Sequence, residues 1–284
     1  MNEPITLTTL VENSVQVRGL RAEHGLAFHL QCSGHSLLFD TGQSDLLIAN
    51  ADALGVALAR LDAIVLSHGH YDHTGGLSNV RACAPKARLF LHPEAVKPKF
   101  SANAASPAQP AGMTEPALQA VRHAGASVTW TRGWTEVLPG VFATGEIPRE
   151  TSFEDTGGRF FRDASATQPD PLTDDQALVC DTPEGLMVVL GCAHAGVVNT
   201  LRHIRRQTNG QRIHTLIGGL HLLTAEATRM HATVQALREL AVAQLIPAHC
   251  TGFAAATRLW AEFPGRCRPS GVGTRLIFNG KPSP

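Results

Sequence analysis

The chain has 284 residues, 43% of them apolar, with 24 lysines and arginines balancing 24 aspartates and glutamates. That length and apolar content suffice for a large buried core. A net charge of +0 gives no electrostatic reason for a nucleic-acid or anionic-membrane partner, and no apolar run approaches the ~20 residues of a membrane span.

In chain order, residues 5–10, 26–31 and 36–40 have β character, divided by turn residues such as Cys32-Ser33-Gly34. Residues 46–54 have helical spacing. Residues 63–66 form a short apolar strand that runs into Ser67-His68-Gly69-His70-Tyr71-Asp72-His73. Helical spacing resumes over 77–82, and 88–91 is a strand. Residues 97–116 are rich in Ala, Ser and Pro and read as a mobile loop. Residues 145–175 carry Phe153, Phe160 and Phe161 among Gly, Pro, Thr and Asp, and read as a lid. Residues 177–180 and 186–190 form a hairpin through Thr182-Pro183-Glu184-Gly185. Helices over 197–206, 225–240 and 254–263 then alternate with strands over 213–217 and 242–246, and 275–278 closes as a strand. No linker divides the chain, so one domain over residues 1–284 is expected, α/β in class with helices outside two sheets.

Residues 1–10 lack the basic and apolar segments of a secretory signal, and a soluble cytoplasmic protein is the expectation. The six cysteines are scattered without a C-x-x-C pair and read as reduced thiols.

Fourteen histidines are many for this length, and histidine is the commonest metal ligand. His29, His35, His123, His203 and His214 read as surface residues. His68 and His70 stand two apart at a strand end, and extended backbone points alternate residues the same way, so both can reach one ion. Asp72 and His73 are adjacent and diverge, which suits a neighbouring ion or a supporting role. Imidazole with carboxylate suits zinc, iron or manganese better than magnesium or calcium. Three or four ligands cannot complete two metal sites, so partners are expected from later strand ends. His194, His221 and His249 each follow an apolar strand and precede a helix start. Asp175 is a further candidate carboxylate. Asp40, in Phe39-Asp40-Thr41-Gly42, is expected to accept hydrogen bonds from its own turn or from a metal-binding histidine.

The run Ser-His-Gly-His-Tyr-Asp-His-Thr-Gly-Gly-Leu from Ser67 resembles the H-x-H-x-D-H signature of the metallo-β-lactamase superfamily, and Phe39-Asp40-Thr41-Gly42 resembles its upstream turn. Glu23-His24-Gly25, Gly191-Cys192-Ala193-His194-Ala195-Gly196, Gly218-Gly219-Leu220-His221-Leu222 and Pro247-Ala248-His249-Cys250-Thr251-Gly252 look like one branch, which includes the archaeal dihydropterin–ribofuranosylaminobenzene-phosphate synthases. The resemblance implies a four-layer αββα sandwich with two divalent ions, zinc first and manganese or iron next, at one edge of the sheets. It implies that His68 and His70 hold the first ion and Asp72 and His73 the second, with His249 as the late histidine. The superfamily's usual bridging aspartate is absent after Leu190, so either His194 or Cys192 takes its place, and Asp175 stands near the place of the middle histidine.

The resemblance further implies a hydrolase that activates water against an ester, lactone, β-lactam or phosphodiester of a small molecule. Asp72 would orient the nucleophile, and His221 or His24 would donate to the leaving group. Arg149 could meet an anionic substrate with a forked pair of hydrogen bonds, and Phe153 with its lid neighbours could stack on a heteroaromatic ring. The alternative is a transferase like the synthases, with the ions holding a diphosphate leaving group. A third reading is a non-catalytic sensor of metal or ligand.

Overall fold

The computed structural model describes residues 4–103 and 106–279. Its architecture follows from strands that are apolar on both faces. In the first half Leu37, Phe39, Ala63 and Val65 point to one side, and Leu38, Ile64 and Leu66 to the other. In the second half Leu178, Cys180, Met187 and Val189 point to one side, and Ala177, Val179, Leu186 and Val188 to the other. Because side chains alternate along a strand, each sheet needs cover on two faces. The first set from each half meets in one central core between the sheets. The outer face of one sheet packs on helices Leu46–Ala53, Leu77–Cys83 and Glu115–Ala124. The outer face of the other packs on helices Val197–Gln207, Ala227–Glu239 and Phe253–Glu262. The result is the four-layer αββα sandwich expected.

The first sheet has seven strands in the order Arg275–Phe278, Ile5–Val11, Ala27–Cys32, His35–Phe39, Ala63–Val65, Arg88–Leu91 and Val128–Trp130. Its last four run parallel. The second sheet has six strands in the order Gln244–Ala248, Ile213–Gly219, Gly185–Leu190, Ala177–Thr182, Val141–Ala143 and Thr135–Leu138. Its first three are parallel. Parallel pairing makes strands end side by side, and the two sheets end close together. A Cβ on Gly191 would overlap the Ser67 side chain of the other sheet, so only glycine permits that approach.

The described residues of 97–116 are not a mobile loop. Phe100–Asn103 and Ser106–Pro110 pair antiparallel, and Phe160–Phe161 from the lid adds a third strand. Helix Glu115–Ala124 starts within the stretch read as loop, capped by Thr114 Oγ1, which accepts from Ala117 N. The hairpin has little apolar surface of its own. It is held by Lys99, whose buried ammonium lies 3.2 Å from Asp170 and 2.8 Å from Asp174, a long-range anchor with no local pattern. Strands Val128–Trp130, Thr135–Leu138 and Val141–Ala143 were also not expected. His29 and His203 are not surface residues but are 3% and 7% exposed. Among the described residues no helix is long and apolar enough to cross a membrane.

His29 lies in strand Ala27–Cys32 with its Nε2 2.8 Å from Ser36 Oγ. Burial, aided by Arg275, lowers its pKa from 6.5 to about 4. The unfolded chain therefore binds the extra proton first as pH falls, and folding stability declines from pH 6.5 toward pH 4. The contribution is full above that window and on the order of 3 kcal/mol. Urea melts between pH 7 and pH 4 should show a shallower stability loss for His29→Gln than for the wild type.

Candidate metal centre

The strand ends deliver the site. Strand His35–Phe39 hands the chain to Asp40, and the neighbouring strand Ala63–Val65 to Leu66, Ser67 and His68. Asp40 is fully buried. Its Oδ1 accepts from Ser67 N at 2.7 Å, and its Oδ2 from Ser67 Oγ at 2.7 Å and His73 Nδ1 at 2.7 Å. Beyond His70 the chain makes one helical turn, Tyr71–Thr74, which turns Asp72 and His73 inward. Gly69 N donates to Asp174 Oδ2 at 2.8 Å, tying the turn to the buried Lys99 pair. From the second sheet come Cys192 and His194 after Leu190, His221 after Gly219, and His249 after Ala248. Asp40, Ala193, His221 and His249 have φ of +61°, +53°, +49° and +49°. Left-handed backbone at non-glycine residues is costly and gathers where function demands it.

The ring orientations follow from their partners. Ser67 Oγ gives its one proton to Asp40, so His68 Nδ1, 2.8 Å away, must donate to it. His194 Nδ1 donates to Thr156 O at 2.8 Å, and His249 Nδ1 to Asn13 Oδ1 at 2.9 Å. With His73 Nδ1 on Asp40, four rings are held by their outer nitrogens and turn Nε2 inward. His70 is reversed: its Nδ1 faces inward, 2.9 Å from His68 Nε2 and 3.2 Å from His194 Nε2, while its buried Nε2 has no partner. Ligand nitrogens of a tetrahedral zinc ion stand roughly 3.3 Å apart. Two lone pairs converging on a ring nitrogen that can hold one proton fit a cation, and the donor set is suitable for one.

A second group adjoins the first. Asp72 Oδ2 is 3.3 Å from His249 Nε2, 3.3 Å from His24 Nε2 and 3.7 Å from His73 Nε2. Cys192 Sγ is 3.2 Å from His73 Nε2, and it lies within 4.8 Å of the ligand atoms of His68 and His194 on one side and of His73 and His249 on the other. The thiol therefore stands between the two groups, while His194 belongs to the first. His221 joins neither. Its ring is 4.3 Å from that of His194, and it groups instead with Cys192 and Cys250.

The two groups differ electrically. Burial lowers the pKa of His68 and His194 well below the usual value and that of His70 to about 4, leaving neutral rings with free lone pairs. Burial also opposes charge on His73, but Asp72 and Asp40 outweigh it and raise its pKa to about 9. Burial works against the Asp72 carboxylate, yet His73, His24 and His249 hold its pKa far below the usual range. An ion entering the second group displaces the His73 proton, so its affinity rises with pH.

Other expected residues are placed elsewhere. Arg149 donates through Nη1 to His194 O and through Nη2 to Pro171 and Leu172 O. Its fork pins the lid to the His194 loop and does not line the cavity. Phe153 packs on the outer core of the second sheet. Asp175 Oδ2 accepts from Ala195 N at 2.7 Å behind His194, and burial raises its pKa to about 7.

The aromatic that faces the metal centre is Phe160, its ring 4.9 Å from His70 and 5.1 Å from His194. The lid is fastened by Glu154, whose carboxylate accepts from Val198 and Asn199 N at the start of helix Val197–Gln207. Asn13, Glu12 and Thr156 were not anticipated. Glu12 Oε1 accepts from His249 N at 2.8 Å. A polar residue near the end of the first strand was the one signal available for Glu12 and Asn13, and it is a weak one. Above the groups opens a cavity of about 1000 Å³ that includes His24, His70, Asp72, His194, His221 and His249 in its wall.

An αββα sandwich with two adjoining imidazole-rich groups at one sheet edge defines a metal-site protein of the metallo-β-lactamase fold. Residues 30–249 match the family model described as the metallo-beta-lactamase superfamily, and the chain belongs to that superfamily. It is 30% identical over 253 residues to the 7,8-dihydropterin-6-methyl-4-(beta-D-ribofuranosyl)-aminobenzene-5'-phosphate synthase of Methanocaldococcus jannaschii, covering 85% of each chain. It is 26% identical to the uncharacterized protein MJ0448 of the same organism, covering 88% of this chain and 92% of that one. Among solved structures, Tm1679, described as a metal-dependent hydrolase of the beta-lactamase superfamily, superposes with a TM-score of 0.80 at 31% identity, over 96% of this chain and 98% of that one.

Asp40→Asn removes the acceptor that orients His73 and Ser67. Metal affinity measured by competition with a chromogenic chelator should fall roughly 10- to 100-fold. At Gly157 φ is +77° and a Cβ would overlap the His221 ring. Gly157→Ala should therefore displace the lid, seen as faster hydrogen exchange over residues 150–165, with the sheets unchanged.

Proposed function

We propose that the protein is a soluble, cytoplasmic metal-dependent hydrolase that holds two divalent ions and cleaves an ester or lactone of a small molecule. The observation that carries this reading is the set of histidines fixed by their outer nitrogens with the inner ones converging on two adjoining points. His68, His70 and His194 would hold one ion, and Asp72, His73 and His249 the other, with the Cys192 thiol between them. A thiol in the donor set favours zinc or iron over manganese. Bound ions supply Lewis acidity toward the scissile carbonyl and bring the pKa of water toward neutrality.

The chain's own groups supply the rest. Asp72 holds His24, whose side chain is 58% exposed to the cavity region, at 3.3 Å through its Nε2. The hydrogen bond that His24 Nε2 donates to the Asp72 carboxylate raises the His24 pKa, which favours the protonated ring that can serve a leaving alkoxide. Phe160 covers His70 and His194 and excludes water from their side of the site.

The second reading, a transferase with a diphosphate leaving group, is favoured by the 30% identity to the archaeal synthase. Among the described residues lining the cavity there is no lysine or arginine. The ions themselves would neutralise an anion at the reacting centre, so this lining counts only against charge on the body of the substrate away from them, and it supports an uncharged body.

Elemental analysis after zinc loading should find two ions per chain, falling to about one in His70→Ala and in His249→Ala. Turnover of p-nitrophenyl esters or a lactone by the zinc enzyme, abolished in His68→Ala, is the expected result. No turnover with zinc or manganese, together with diphosphate release from a dihydropterin diphosphate and an aminobenzene acceptor, would replace the hydrolase with the transferase.

A further inference from the structure

We infer that helix Phe253–Glu262 is the wall against which the body of the substrate lies, and that this body is an uncharged aliphatic or aryl group. The inference rests on the hydrolase reading and narrows its substrate class.

The helix has two apolar faces. Ala255 and Leu259 are buried in the core of the second sheet. Phe253, Ala256, Thr257 and Trp260 follow the i, i+3, i+4, i+7 spacing of a second stripe, and all four line the cavity. A surface helix needs one apolar face to dock, so the second calls for another partner. Phe253 is 88% exposed and Trp260 45% exposed. Leu223 and Tyr71, also among the exposed large apolar residues, line the same cavity. Four such side chains around one opening form a patch of the kind that marks a binding site.

The wall continues directly from the metal centre. His249 opens the turn His249–Thr251, Gly252 follows, and Phe253 starts the helix. A substrate whose carbonyl lies by His249 thus has its next atoms beside Phe253 and those beyond beside Trp260, about two helical turns on.

Charge completes the argument. The carboxylates in the cavity wall are Glu12 and Asp72, and no lysine or arginine of the described residues joins them. Glu12 is already bonded to His249 N and to Ser14. An anionic tail would find no counter-charge along this wall, whereas an acyl chain or an aromatic ring meets the apolar side chains of Phe253, Ala256 and Trp260. The cavity, about 1000 Å³, is at the upper end for small-molecule sites and has room for such a group.

The zinc enzyme is assayed on p-nitrophenyl esters from acetate to octanoate. Wild-type kcat/KM is expected to rise with chain length through a falling KM, by up to roughly fourfold per buried methylene. Phe253→Ser and Trp260→Ser should remove most of that rise, flattening the dependence of KM on chain length. Both side chains are substantially exposed, so neither change empties the core. The second measurement needs no catalysis: undecan-2-one, a neutral ketone, should quench Trp260 fluorescence saturably, with the signal absent in Trp260→Phe and binding weakened in Phe253→Ser.

A flat chain-length profile in an enzyme that does cleave esters would overturn the inference. So would a dimer that dissociates in Phe253→Ser, which would make the patch a contact between copies. If no ester is cleaved, the hydrolase reading fails. The ketone titration then decides the wall alone: saturable binding lost in Phe253→Ser keeps it, and no binding removes it.

Discussion

The structure depends on a buried carboxylate. Asp40 is fully enclosed and would be very costly there without partners. It has three, the Ser67 amide, the Ser67 hydroxyl and the His73 ring. These bonds cross from one strand end to the loop of the next. They set the Ser67 proton, which sets the His68 tautomer, and they hold His73 with its other nitrogen inward. The backbone follows the same path, since Asp40 N donates to Val65 O and Thr41 N to His73 O. One acidic side chain thereby orients rings of both candidate metal groups.

The sheets supply what Asp40 cannot. Alternating apolar residues on both faces of each strand force two sheets together and put helices outside. Parallel pairing places strand ends in register, so residues far apart in the chain arrive at one edge. Gly191 permits the close approach of the two halves. Cys192 then stands between imidazoles carried by different sheets. A one-residue slip in strand Gly185–Leu190 would send its inner residues to the helix side and alter where Cys192 and His194 emerge.

The lid closes this edge through charge and backbone bonds more than through apolar contact. Glu154 binds the start of one helix, Arg149 binds three carbonyls, and Lys99 joins the small hairpin to Asp170 and Asp174. Phe160 is the lid's aromatic at the site, and the Thr156 carbonyl holds the His194 ring. The last helix adds Phe253, Ala256 and Trp260 to the lining of the same cavity. The metal groups and the substrate wall are therefore built by different elements, so substrate preference can change without disturbing the ligands.

Local pattern accounts for what was legible in the chain. His68, His70, Asp72 and His73 lie within six residues after an apolar strand, and spacing alone was enough to bring them together. His194, His221 and His249 could be singled out because each follows an apolar strand. That His221 stands apart from both metal groups required their relative positions. Arg149 and Phe153 looked available for substrate because a sequence does not display the carbonyls and the core that occupy them. The paired strands Phe100–Asn103 and Ser106–Pro110 were missed because their stability comes from Lys99 and from pairing with Phe160–Phe161, contacts more than fifty residues away. The sequence by itself determined the α/β class and the candidate metal-binding segment, because periodicity and short spacing are local properties, while the αββα layering came from the resemblance of its motifs to the superfamily. The tertiary structure decided the tautomers, the place of Cys192, the lid contacts and the apolar wall, because each depends on groups that meet only when the two sheets pack.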